Sequence, residues 1–142
     1  MLSFLAYLCM SSAIYHEARG EPFDGQAMVA LVVMNRAAQD PEKVCAVIQK
    51  PKQFSWFNGY HKAKSIKAKV SWFKKMLPKD RDAWLASNIV AFKALNNKLP
   101  KSIVTKVGKA DHYFNPSKAN PVWRHALKEV GMVGNHLLLT SR

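Results

Sequence analysis

Three of the chain's nine acidic side chains, Glu17, Glu21 and Asp24, crowd into the single stretch AIYHEARGEPFDGQ. Neighbouring carboxyl groups can move protons: one that keeps its hydrogen at neutral pH donates it to a leaving oxygen, while an ionised partner holds water or attacks. The other acids narrow the choice. Asp40, Glu42, Asp80 and Asp82 stand where helices should begin, beside free backbone N–H groups. Glu129 follows Lys128 on what reads as an amphipathic final helix, and Asp111 is ambiguous. Glu17 falls in the last turn of the first helix, at the negative end of its dipole, and burial by Tyr15 and other apolar neighbours would act in the same direction. Both effects favour the protonated form. The same pattern also fits Glu17 and Glu21 paired with Arg19 and lysines, and Asp24 capping the second helix.

The elements that must position these groups are mostly helical. Leu5, Leu8, Cys9, Ser12 and Tyr15 recur at helical spacing within a helix from Leu2 to Ala18, and Gly20 stops it. Pro22 and Asp24 open a second helix from Gly25 to Ala38, apolar on all sides and therefore central. Asp40-Pro41 starts a third. Residues 50 to 61, KPKQFSWFNGYH, show no period and read as an aromatic loop. Ile66, Val70, Phe73 and Leu77 then mark the buried stripe of a lysine-rich helix, and Pro78, Asp80 and Asp82 begin another that runs to Leu99. Residues 102 to 115 alternate as a hairpin turning near Gly108, Asn120-Pro121 opens a last helix through Val130, and NHLLLT forms a closing strand.

With 142 residues, 49% of them hydrophobic, the chain can bury one real core, and a single domain over 1–142 is expected. Twenty-two Lys and Arg against nine acids give a formal charge of +13, which selects polyanionic partners without naming a reaction. Cys9 and Cys45 lie in apolar helical patterns and read as buried free thiols, with a disulfide between them as the alternative. The opening MLSFLAYLCMSSA lacks the basic start of a signal peptide and is too short to span a bilayer, so it reads as a core helix.

The blocks EARGEPFDGQAMVALVVMNR at 17 to 36, VCAVIQKPKQFSWFNG at 44 to 59 and ADHYFNP at 110 to 116, followed by Trp123 and VGNHLL at 133 to 138, resemble the SleB-type cell-wall hydrolases. That family includes spore-cortex-lytic enzymes and small phage lysins. The resemblance implies an α+β, predominantly helical, lysozyme-like or lytic-transglycosylase-like single domain with a small sheet. It also implies cleavage of the β-1,4 bond between N-acetylmuramic acid and N-acetylglucosamine in peptidoglycan. Glu17 matches the family's catalytic glutamate, with Glu21 and Asp24 as candidate second carboxylates. Gln53, Ser55, Tyr113 and Asn115 match groove-lining segments that would hydrogen-bond the sugars, and Trp56 and Trp123 would offer flat faces to the rings. Phe54, Phe114 and Trp123 also suit core packing. His16 departs from the small or polar residue expected before the glutamate.

A hydrolytic muramidase needs a second carboxylate, whereas a lytic transglycosylase uses the muramic acid's own C6 hydroxyl and needs only one acid. The expectation is therefore a transglycosylase without cofactor or metal, acting as a phage endolysin, with a related bacterial autolysin as the alternative. No separate wall-binding domain is expected within 1–142, so the basic surface would hold peptidoglycan and anionic envelope components such as lipopolysaccharide or anionic lipid. Synthesis in the host cytoplasm, release to the wall or periplasm by another agent, a monomeric state and no nucleic-acid partner complete the expectation. Two alternatives have other residues behind them. A zinc amidase or peptidase would use His112, His125 and His136 with Asp111, although no H-E-x-x-H is present. A nucleic-acid- or membrane-binding protein would use the seven lysines between positions 62 and 79.

Overall fold

The computed structural model describes residues 3–50 and 53–142. Helix α1 (Phe4–Ala18) is capped by the Ser3 hydroxyl, which accepts from the Ala6 N–H. The expected start at Leu2 lies outside the described residues. Helix α2 (Phe23–Arg36) follows after a turn at Gly20, whose φ of +87° is a conformation that costs any residue with a Cβ about 1 kcal/mol or more. Pro22 is the N-cap of α2, and Asp24 makes no capping bond there. Helix α3 (Val44–Gln49) comes after a tight turn that Asp40 caps through the Glu42 N–H.

Met10, Ala13 and Ile14 of α1 meet Val29, Val32 and Val33 of α2 and Val90, Ala91 and Ala94 of α6 (Arg81–Leu95) in one buried cluster. Alanines at these crossings let the helices approach closely, and each fully buried Val or Ile contributes roughly 1.5–3 kcal/mol. The apolar stripe expected for α1 is only partly the buried one: Tyr15 is buried, but Leu5 and Leu8 are exposed. Burial centres instead on Ala6, Met10, Ala13 and Ile14, because small residues permit the contact with α2 and α6.

The expected aromatic loop is partly helical. Ser55–Phe57 form a 3-10 turn leading into α4 (Asn58–Lys62), while Pro51 and Lys52 lie outside the described residues. Gly59 of α4 lets that helix lie close against Trp72; a Cβ there would meet the indole Cδ1 at 2.6 Å. Helix α5 (Ile66–Met76) exists as expected, but its expected stripe faces solvent: Ile66, Val70, Phe73 and Leu77 are all exposed, and Trp72 is its buried residue.

The expected hairpin over 102 to 115 is overturned. Residues Lys101–Val107 form helix α7, which buries Ile103 and Val107, four positions apart, in the core cluster. β-Branched residues read as strand, but a helix puts exactly two of them on the face that packs against α2. The expected last helix is also replaced: Val122–Ala126 form a 3-10 turn, and the residues after it form strand β2 (Lys128–Val133). The closing strand is present as β3 (His136–Thr140), and it lies between β1 (His112–Phe114) and β2, antiparallel to both. β3 exposes ladder groups on both edges, so the segment before it is used as a partner rather than as a helix.

Cys9 and Cys45 form a disulfide joining α1 to α3, with Cα atoms 5.3 Å apart, so the alternative of pairing holds and the first expectation of free thiols is corrected. Two cysteines 36 positions apart on separate helices carry no sequence sign of their proximity.

Candidate active site

Glu17 projects from the last turn of α1 into a cavity of about 330 Å³. Strand β1 supplies His112 and Tyr113 to its wall, the far end of α2 supplies Arg36, and the segment before the 3-10 turn supplies Gln53 and Phe54; Trp123 closes one side. β1 is held in place by its pairing with β3, Tyr113 opposite Leu138. Arg36 is fixed through its Nε–H, which donates to the Asp111 carbonyl at 2.6 Å, and its Nη1 is buried without a partner.

The Tyr113 hydroxyl donates to Glu17 Oε1 at 2.8 Å. Burial raises the Glu17 carboxyl above the usual glutamate value, and the Tyr113 hydrogen bond and the Arg36 charge pull it only part of the way back. Tyr113 itself is pushed well above its ordinary value by burial and by Glu17, so it stays a donor. With Oε1 occupied by Tyr113, the proton of neutral Glu17 belongs on Oε2, the oxygen left to face a ligand. The ion pairs among the described residues are His112–Asp111 and Arg124–Glu129, so Glu17 is in neither. Arg19 instead donates to the Tyr15 hydroxyl at 2.7 Å, and that hydroxyl also accepts from the Lys79 and Asp80 amides. Tyr15 thus ties α1 to the start of α6 and does not wall the Glu17 cavity; Phe54 and Tyr113 do.

Of the other residues singled out from the sequence, Gln53, Tyr113 and Trp123 line this cavity with Glu17. Trp123 is 41% exposed, edge-on to Phe114 and near His112, rather than packed in the core; Phe54 and Phe114 are buried. Ser55 is exposed at the start of its turn, and Asn115 turns its side-chain oxygen to the Ser117 amide and hydroxyl, so neither lines the cavity. Trp56 lies elsewhere, stacked on His16 with ring centres 4.4 Å apart, in an apolar groove. Glu21 packs over Gly25 and Asp24 is exposed; neither reaches the Glu17 cavity.

Arg36 is a wall residue that sequence reasoning passed over, and His112, considered there only as a zinc ligand, is another wall residue; both fall inside the matched blocks, MNR and ADHYFNP. His112 is oriented by Asp111 at 2.9 Å. Burial alone would raise Asp111, but hydrogen bonds from the Ser141 hydroxyl, His112 and the Ser141 amide hold it below the usual carboxylate range. Among the described residues no three His, Cys, Asp or Glu side chains converge on a metal position, and His112, His125 and His136 are not brought together.

Residues 20–139 match the family model described as cell wall hydrolase. The chain is 31% identical over 134 residues to the spore cortex-lytic enzyme of Oceanobacillus iheyensis, covering 90% of this chain and 39% of that protein. To the spore cortex-lytic enzyme of Bacillus cereus it is 30% identical over 130 residues, covering 90% and 41%. The chain therefore spans about two fifths of the length of these relatives. The α+β, predominantly helical architecture is shared with the catalytic domain of the germination-specific lytic transglycosylase SleB from Bacillus anthracis, with a TM-score of 0.67 and 27% identity over 97% of this chain and 96% of that one. The catalytic domain of the Bacillus cereus SleB protein gives a TM-score of 0.67 and 25% identity over 99% and 93%. The matched span takes in the end of α2 with Arg36, β1 with Tyr113, and β3, which hold the Glu17 cavity together, and by it the chain belongs to the cell wall hydrolase family.

Proposed function

We propose that this cell wall hydrolase cleaves the β-1,4 bond between N-acetylmuramic acid and N-acetylglucosamine as a lytic transglycosylase, with Glu17 as acid and then base. The observation that carries the reading is a glutamate whose carboxyl is raised by burial above its ordinary value, with one oxygen bonded by Tyr113, in a cavity whose described wall contains no second carboxylate. Glu17 Oε2–H gives its proton to the glycosidic oxygen as the bond to C1 breaks. The C6 hydroxyl of the same muramic residue then attacks C1 and returns its proton to Glu17, leaving a 1,6-anhydro end with no water consumed. Gln53 and Trp123 hold the flanking sugars, by hydrogen bond and by ring face, and Ser55 and Asn115 contact the glycan where it leaves the cavity. Arg36 limits how far the Glu17 carboxyl is raised, which lets the ionised form take the proton back.

The chain acts as one catalytic domain, a monomer that meets peptidoglycan as a phage endolysin. Its charge of +13 supports retention on the anionic wall. The Cys9–Cys45 disulfide supports work on the oxidising side of the membrane, after release from the cytoplasm where it is made. Among the described residues no helix is long and apolar enough to cross a membrane. Mass analysis of the fragments released from purified peptidoglycan tests the reaction. Anhydromuramic ends are expected; reducing ends would make the enzyme a muramidase with water in place of the C6 hydroxyl, and free stem peptides would make it an amidase.

A further inference from the structure

The stripe of α5 that the sequence marks as apolar is largely uncovered, its one ring contact from another helix among the described residues being Phe73 edge-on to Tyr60. Ile66 is 83% exposed and Leu77 62%, with Val70 and Phe73 exposed between them on the same side. The helix is held from its other side, where Trp72 is buried against Phe57 and Tyr60, and α4 is its chief packing neighbour. Lys67 and Lys74 each follow a stripe residue by one position, so at about 100° per residue they form a row along the stripe's flank. From position 61 to 79 the chain has seven lysines and no acid. Phe73 and Leu77 also line an apolar groove of about 390 Å³, whose opposite wall carries Leu5 and Leu8 of α1, themselves exposed. The apolar surface is therefore continuous across two helices and bordered by cations.

An uncovered apolar surface of this kind marks a binding face. Its charge decides among partners. A nucleic acid would satisfy the lysines but gain little from four aliphatic and aromatic side chains in a row. A second copy of the chain would set one lysine row against another. An anionic bilayer satisfies both features at once, because a helix lying in the interface buries its apolar stripe at the acyl boundary and places its lysines at the phosphates. We infer that α5, together with the Leu5–Leu8 edge of α1, is a docking surface for an anionic phospholipid bilayer. The groove and the Glu17 cavity share no wall residue, so docking leaves the acid free to act. The inference stands on its own observations and holds whichever bond Glu17 breaks.

Co-sedimentation of the full chain with vesicles of phosphatidylethanolamine and phosphatidylglycerol, against vesicles of phosphatidylcholine alone, tests it. Binding to the anionic vesicles only is expected, weakening with added salt. The paired change Ile66→Ser with Leu77→Ser, at two largely exposed positions, is expected to lower vesicle partitioning by roughly tenfold or more with the melting temperature unchanged. Lys67→Glu with Lys74→Glu is expected to lower it comparably and to flatten its salt dependence. Equal binding to phosphatidylcholine, no binding, or binding indifferent to the Ile66 and Leu77 changes would overturn the inference. So would binding to DNA or to lipopolysaccharide micelles without binding to phospholipid, or a dimer that the same two serines dissociate.

Discussion

His16 and Glu17 are adjacent in α1 yet serve two concavities of different character. Glu17 enters a polar cavity in which Tyr113, Arg36 and the Asp111–His112 pair fix one another by hydrogen bonds and charge. His16 enters a groove of stacked rings, with Trp56 on its face and Trp72 parallel to Trp56 beyond, where two indole N–H groups are buried without partners. One helix thus carries chemistry on one side and aromatic packing on the other. On the polar side hydrogen bonds fix the geometry around a single acid whose carboxyl is raised by burial; on the apolar side ring contacts do the packing. Perturbing each side should therefore move different observables.

The largest effect is expected from Glu17→Gln. Glycan cleavage should fall by about 10²–10⁴-fold, the usual worth of a positioned acid, with the fold retained. The stability effect has a definite sign. Because Glu17 is raised in the folded chain, the wild type loses stability as pH rises from the ordinary glutamate value of 4.5 through the raised one. The glutamine variant lacks that loss, so its relative melting temperature should rise across that window and level off above it. Unchanged cleavage would remove Glu17 from the reaction.

Reducing the Cys9–Cys45 bond, or replacing both cysteines by serine, strikes the apolar side, since Cys9 lines the groove with His16. A bond closing a separation of 36 residues is expected to contribute about 3–4 kcal/mol. Thermal unfolding with and without reductant measures it. Below the lowered transition, cleavage per folded molecule should be unchanged.

Tyr113→Phe returns to the polar side with a smaller effect. Its hydroxyl favours the ionised carboxylate, so removing it should raise Glu17 further and carry the alkaline limb of the activity profile to higher pH. The rate at the acidic plateau should fall by no more than about tenfold, the worth of one hydrogen bond. A limb that moves down would mean that Tyr113 holds the proton on Glu17 rather than resisting it.

The same two sides differ in how much of them the sequence discloses. Glu17 stands out because so few acids exist and four of the others stand at expected helix starts, where Asp40 and Asp80 do cap as expected. The walls of its cavity are a matter of tertiary assembly: Arg36 reaches Glu17 from the far end of α2, and His112 from a strand whose place depends on β3. Helical periodicity discloses α1, α2, α5 and α6 but says only which side is apolar, not whether anything covers it. That is why Leu5, Leu8 and the stripe of α5 look like core and are exposed. β-Branched residues misdirect 101–107 toward strand because burial of Ile103 and Val107 outweighs their local preference, and 128–133 pairs as strand to satisfy the edge of β3.

The smallest effect concerns His16. Its Nε2 lies 3.1 Å from the Met76 carbonyl, so the neutral ring carries its hydrogen there and donates it, linking α1 to the end of α5. Burial lowers its protonation below the ordinary value of 6.5, and the positive charge of Arg19 acts the same way, while the Met76 bond opposes them. A histidine lowered on folding takes up its proton more readily in the unfolded chain, so stability is full above 6.5 and declines as pH falls through that value. His16→Phe keeps the stacking on Trp56 but cannot titrate, and should flatten this decline while leaving the alkaline limb set by Glu17 where it was. Melting curves and cleavage rates across the same pH series separate the two. If the acid-side decline persists in His16→Phe, the pH sensitivity of the apolar side comes from another group, and the two adjacent residues are not the independent switches that the two concavities imply.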